Sequence, residues 1–345
     1  MRSRAAVFGW IPAAGLALAL TGCSGGPPGG VTGLPSSDYA GPVVPTTIGF
    51  ALGDVAATSW DTDYVEFGDV AKVVALNGGS GQGPLVEYVG VGQSGYAQDL
   101  ADPKATLGFD PFGVQAALTV GNLPHQVTFV YGGFNPTSVG AVLGKEGFKL
   151  RGTVDGAALW GYGTDGQMNP NNPTGLPSLD DMLVSGRRIG LGDAGADLKA
   201  LAGSPNPPLY SHDGMGAVAQ CLGSALAAVI TPRTSAAKAP LLGIGLLADT
   251  AQDASEEVCV TASSASSAET ISAQWTSAVA TGHSTRLDEA WSKLLTDPQA
   301  ATLAPVDGAI TVRLTAKPAA GARVGTVLAT FFSASADLDG LIGPS

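Results

Sequence analysis

The chain has 345 residues, 45% of them hydrophobic and 13% charged, with a formal charge of −12 at pH 7. That is enough apolar material for one large domain or two ordinary ones, and it is not a disordered composition, which pairs low hydrophobicity with high charge. An acidic chain whose only basic doublet is Arg187-Arg188 excludes nucleic acid and anionic lipid headgroups as partners, since both need basic patches.

Arg2 and Arg4 precede an uncharged, mostly apolar run from Ala5 to Leu20, the layout of a secretory signal. The run is short of the roughly 20 residues a spanning helix needs, and Pro12 interrupts it; an uncleaved helix is the alternative. It closes on Leu20-Thr21-Gly22-Cys23, which resembles the lipobox of bacterial lipoproteins. The resemblance implies that Cys23 receives a diacylglyceryl group and becomes the mature N-terminus. It implies attachment to the cell membrane on the extracytoplasmic face. Ser24 to Pro45, rich in Gly and Pro, reads as a tether that reaches about 25 Å as a flexible coil.

Beyond Pro45 a short strand, a polar or Gly turn and an amphipathic helix recur. Tyr64 to Phe67 leads through Gly68-Asp69 to Val70, Val73, Val74 and Leu76. Val127 to Tyr131 leads to a helix opened by Asn135 as cap and Pro136 at its first position. Lys149–Val154 and Ala157–Tyr162 flank Asp155-Gly156, the type I′ turn pair of a hairpin. Ile189 to Leu191 leads through Asp193 to Ala196, Leu198 and Leu201. His212 and Asp213 stand where they would cap the helix of Met215, Val218, Ala219 and Leu222. Further strands are expected at Ala225–Ile230, Leu241–Leu247, Val258–Ala262 and Ile310–Ala316. Ser266 and Glu269 fit a capping box ahead of Ile271, Trp275 and Val279. Thr285 to Leu295 reads as a helix with Leu287, Trp291, Leu294 and Leu295 on its buried stripe.

A hairpin inside a strand–helix alternation predicts an α+β fold, with mixed or antiparallel sheets, helices packed on one face and two similar halves. The expected organisation is a signal at 1–22, the lipidated cysteine and tether at 23–45, an α+β domain at 46–208, and a second domain or half at 209–345. Gly108-Phe109-Asp110-Pro111 through Gly133-Phe134-Asn135 resembles a group of uncharacterised exported actinobacterial proteins. That resemblance implies a cell-envelope setting and an α+β domain, and it transfers no functional residue.

Cys221 and Cys259 are the remaining cysteines, and export makes a disulfide the default, a free reactive thiol the alternative. The bridge would stabilise the fold by roughly 3–4 kcal/mol. Three stretches fit G-x-G-x-x-G, at 90–95, 161–166 and 190–195, a mild excess over the roughly one match that a chain with 49 Gly gives by chance; tight turns are the preferred reading over a dinucleotide site. Ser211-His212-Asp213 has triad residue types, but sequence neighbours splay apart. His125, His212 and His283 are too dispersed for a zinc site. Asp61, Asp63, Glu66 and Asp69, and again Asp253, Glu256 and Glu257, are carboxylate clusters that read as solvated loops or, failing that, as a cation site or a glycosidase pair. The Asp165–Asn172 loop offers oxygen ligands without the spacing of a calcium loop. Of Trp60, Trp160, Trp275 and Trp291, the last two lie on helical stripes and belong to the core, and Trp60 is the one suspected of exposure.

No catalytic residue, cofactor or metal is assigned. The expected function is a lipid-anchored envelope protein that binds or scaffolds without catalysis. The alternatives are a solute-binding lipoprotein of a transporter and an envelope hydrolase.

Overall fold

The computed structural model describes residues 45–58, 64–79, 83–93, 96, 100, 102–167, 169, 171–176, 179–203, 207–233, 240–334 and 336–343. Cys23, the tether, Trp60, Asp61 and Asp63 lie outside the described residues. Residues 42–345 form one compact unit.

Helix α1 (Ile48–Gly53), capped by the Thr47 hydroxyl, is followed by strand β1 (Val65–Gly68). Asp69 then caps α2 (Val70–Leu76), its carboxylate accepting from the Lys72 amide. After α3 (Pro103–Leu107) come β2 (Ala116–Val120), β3 (Val127–Tyr131) and α4 (Pro136–Lys145), where Asn135 accepts from the Ser138 amide as its spacing predicts. Next are β4 (Lys149–Val154), β5 (Ala157–Gly161), β6 (Asp181–Val184), β7 (Arg188–Gly192) and α5 (Gly195–Ala202). Asp155 and Gly156 both take positive φ between β4 and β5, the I′ geometry their pairing calls for. The second part runs α6 (Met215–Leu222), β8 (Ala227–Pro232), β9 (Leu241–Leu247), β10 (Ser255–Ala262) and α7 (Ala265–Thr281). A small hairpin, β11 (His283–Ser284) and β12 (Glu289–Ala290), leads to α8 (Trp291–Leu294). The chain ends in β13 (Leu295–Thr302), β14 (Ile310–Pro318), α9 (Thr326–Ala334) and α10 (Ala336–Ile342).

Twelve strands make one sheet in the order β13-β14-β10-β9-β8-β1-β2-β3-β7-β6-β5-β4, every neighbouring pair antiparallel. The α+β class and the antiparallel pairing are as expected. The helices cover both faces, where the sequence suggests one. Strands such as β2 and β3 are buried along their whole length, so each presents apolar side chains both ways and both faces need cover. On one face α1, α5 and α6 bury Leu52, Leu198 and Val218 against Phe67, Phe129 and Ile230. On the other, α4, α7, α9 and α10 bury Leu143, Trp275, Leu328 and Leu341 against Val130, Ile244 and Leu314.

The two halves repeat one topology. A helix precedes three meandering strands; a helix then crosses one face, and the chain returns in a hairpin whose second strand pairs with the third. The first copy is α1, β1-β2-β3, α4, β6-β7, with β4-β5 added. The second is α6, β8-β9-β10, α7, β13-β14. The copies meet at the antiparallel β1–β8 ladder, Val65 opposite Ile230 and Gly68 opposite Ala227. α1 and α6 lie on one face and the crossovers α4 and α7 on the other, as a two-fold axis normal to the sheet requires.

Three local expectations differ. Ser264, not Ser266, caps α7, its hydroxyl accepting from the Ser267 amide. Gly214 occupies the cap of α6 with no side-chain bond, so His212 and Asp213 do not cap it. Thr285–Leu295 is not one helix: only Trp291–Leu294 is helical, Asp288 takes φ 51°, Leu287 is exposed, and Leu295 opens a strand paired to β14. The apolar spacing is helical there, but pairing of Ser284 with Glu289 in the β11–β12 hairpin, and of Leu295 with β14, decides the backbone.

Close approach of α6 to the sheet depends on glycine. A Cβ on Gly243 would collide with Val218 Cγ1, and one on Gly245 would stand 2.9 Å from Leu222 Cδ2. Gly243→Val is expected to cost about 3 kcal/mol by overpacking. Gly133→Ala, where a Cβ meets nothing within 4 Å, should be nearly neutral. Urea unfolding of the two variants checks the contrast.

Candidate functional site

The sequence candidates disperse into structural tasks. Gly190 lies in β7, where a Cβ would come 2.8 Å from Leu198 Cδ2, so it serves the packing of α5. The amide of Gly195 at the start of α5 donates to Asp165 Oδ1 at 2.7 Å, which places the protein's own carboxylate where a phosphate would sit. Ser211, His212 and Asp213 follow one another through the turn into α6. His125 pairs with Asp197 at 3.1 Å and His283 stands 3.8 Å from Asp288, on separate parts of the fold. Trp275 and Trp291 are buried as expected, and Trp160 packs over Gly140 and Gly144 of α4.

The carboxylate clusters also separate: Asp253 stands in an exposed turn as its sequence suggests, whereas Glu66 is half-buried and Glu256 and Glu257 are buried. Glu66 lies in the central strand β1, accepting from the Tyr64 hydroxyl and from the Gly92 amide, and burial raises its pKa. Asp253 closes a turn on the amides of Asp249 and Thr250. Glu256 is fully buried beneath the N-terminus of α9, where the Val327 amide donates to it; burial pushes its pKa up to about 7. Asp181 is likewise buried. Arg151 donates to it at 2.5 Å, yet burial holds its pKa at about 7. The local sequence carries no sign of this, because alternation alone does not tell which strands have both faces covered.

The Cys221–Cys259 disulfide forms as expected and joins α6 to β10. A carboxylate oxygen of Glu257 lies within 4.8 Å of both sulfurs. With the sulfurs bonded to each other, neither is a thiolate that could hold a metal. Glu257 is buried, which pushes its pKa to about 7, while Arg313 Nε, 2.8 Å away, acts in the opposite sense. Arg313 also donates through Nη2 to the Cys221 carbonyl at 2.8 Å. That carbonyl belongs to the last turn of α6, where the helix dipole favours a cation.

Beside this group lies a groove of about 410 Å³ between α6, β14 and the connection from β13. Ala217 and Gln220 form one wall and Leu303 and Val306 the other, with Thr311 and Arg313 at the base. Thr311 and Arg313 stand two apart on β14 and so share a face. Thr311 is 2% exposed, and its hydroxyl has no hydrogen-bond partner within the protein. A groove of this size, apolar with a few donors, is of the kind that takes a small molecule. None of its lining residues was singled out by sequence. They come from a helix, a loop and a strand far apart in the chain, and only their assembly distinguishes them.

No family model matches the chain, and no curated protein matches it. It is similar to solved structures of TP0453 in three crystal forms. Form III matches at 10% identity and a TM-score of 0.37 over 81% of this chain and 97% of that one. Form IV matches at 10% and 0.38 over 80% and 94%. Form I matches at 11% and 0.38 over 82% and 96%. A likeness of that degree carries no argument about function.

Proposed function

We propose that the protein is an exported lipoprotein, held through Cys23 on the extracytoplasmic face of the cell membrane, that acts by binding rather than by catalysis. The observation that carries the location is Leu20-Thr21-Gly22-Cys23 behind its uncharged apolar run. The Cys221–Cys259 bridge is in keeping with an oxidising compartment. Among the described residues no helix is long and apolar enough to cross a membrane. The binding reading draws on the groove, whose lining sets donors against an aliphatic wall with no base beside a nucleophile. A transporter's two-lobed receptor would need a hinged cleft, and here the halves are joined by the β1–β8 ladder.

Replacing Cys23 by Ala tests the location. Wild-type protein should take up radiolabelled palmitate and sediment with membranes. The C23A variant should lose the label and appear in the medium or as unprocessed precursor. Processed C23A protein that stayed in the membrane fraction would overturn the anchor.

A further inference from the structure

The repeat explains why the groove exists. Arg188 of the first copy and Arg313 of the second stand on the returning strand of their repeats, on the face covered by α1 and α6. Arg188 lies 4.7 Å over the Phe129 ring of that layer, and Arg313 is paired across the sheet with Cys259. Each donates to the C-terminal end of its repeat's first helix. Arg188 Nη1 reaches the Asp54 carbonyl at 2.7 Å, and Arg313 Nη2 reaches the Cys221 carbonyl at 2.8 Å. Each also has a carboxylate partner, Asp54 itself at 2.8 Å and Glu257 at 2.8 Å.

The copies differ at the next contact. In the first, the chain leaving β7 turns into α5 on the same face. Leu198 and Leu201 of α5 are buried there, and Arg188 Nη2 donates at 3.0 Å to the Ala202 carbonyl at its end. In the second, the chain leaving β14 turns to the opposite face, where α9 and α10 bury Val327, Leu328 and Leu341. The berth that α5 fills in the first copy is filled only in part in the second, by α6, which packs on β14, and the groove is what remains. It is bounded by the 303–306 connection, and the Arg313 side chain stays 39% exposed.

The first copy thus indicates what such a berth accepts: an oxygen acceptor for the arginine, carried on an aliphatic body. A guanidinium has five N–H donors, and Cys221 O and Glu257 face two of its nitrogens. An eight-residue helix would occupy on the order of 900 Å³, so the groove of about 410 Å³ fits a small molecule instead. A planar carboxylate matches a guanidinium edge, and a single charge suits a site that already has Glu257 beside it better than a doubly charged phosphate does.

We propose that the groove binds a small monocarboxylate with an aliphatic body, its carboxylate accepting from Arg313, whose side chain is part-exposed at the base, and its chain lying against Leu303 and Val306. The proposal rests on the binding reading above and gives that reading a ligand class.

Calorimetric titration of the full-length lipidated protein with acetate, butanoate, hexanoate and inorganic phosphate tests it. Hexanoate is expected to bind with a Kd on the order of 0.1–1 mM, with affinity rising along the series and phosphate far weaker. Arg313→Gln should weaken it at least about tenfold. Should that variant fail to fold, Val306→Glu, which adds a carboxylate to the wall, should abolish binding in its place. Three results would overturn the proposal: no heat with hexanoate, a Kd unmoved by the variants, or phosphate binding as tightly as hexanoate. The C23A protein should bind hexanoate as wild type does. Loss of anchoring with intact binding would count against the location alone, and intact anchoring without binding against the groove alone.

Discussion

A double serine variant at Cys221 and Cys259 should unfold with about 4 kcal/mol less stability than wild type. The bridge closes a loop with a sequence separation of 38, and the chain-entropy relation gives that magnitude for such a loop. For a body of this length the loss corresponds to a Tm lower by about 6 °C. The effect should exceed that of an exposed staple, because the bridge holds α6 over Gly243 and Gly245 and fixes the carbonyl that Arg313 reaches. Urea unfolding under non-reducing conditions measures it. A loss below about 1 kcal/mol would mean that the packing of α6 on the glycine floor holds the helix without the bridge.

Stability should fall as pH rises from about 4.5 to 7. Asp181, Glu256 and Glu257 are pushed from ordinary carboxylate values to about 7 by burial. Glu66, Asp69, Asp180 and Asp193 move in the same direction. A carboxyl whose pKa is higher folded than unfolded binds its proton more tightly in the native state. Its contribution is therefore full below the unfolded pKa, declines across the interval and is lost above the folded pKa. Each of the three strongly shifted groups contributes at most on the order of 3–4 kcal/mol. Urea midpoints should be highest near pH 4.5–5 and several tenths of a molar lower at pH 8. A midpoint that rose over this range would show that Arg151, Arg313 and the amides of α9 keep these carboxylates ionised. Glu256→Gln should flatten the profile, since a neutral amide of the same shape replaces the protonated acid.

How much was legible differs from element to element. Asp155-Gly156, Asn135-Pro136 and Asp69 name their structures because the decisive interaction lies within four residues: a left-handed turn, or a side chain on its own helix's amides. β2, β6 and β13 are not signalled in this way. Ala116–Val120 is apolar but for Thr119 and fits a buried helix turn as well as a strand, while Leu295–Thr302 is largely exposed and becomes a strand only because β14 pairs with it. The same limit governs the acids. Glu256 and Glu257 look like a solvated pair, and burial of β10 on both faces puts one under α9 and the other beside the disulfide.

The sequence by itself determined the α+β class, the helix caps at Asp69 and Asn135, the I′ hairpin and the cysteine pair, and it carries the lipobox from which the proposed location follows. These are matters of period, of local geometry and of a short recognition signal, and each is written in contiguous residues; the cysteine pair follows from there being no third candidate beyond Cys23. Only the tertiary structure decided that twelve strands join in one sheet with cover on both faces, how the halves repeat one topology, and that the second copy leaves a groove where the first has α5. The physical reason is which way the chain turns after its last strand. α5 stays on the face of α1, where it buries Leu198 and Leu201, whereas α9 and α10 cross to the other and bury Leu328 and Leu341.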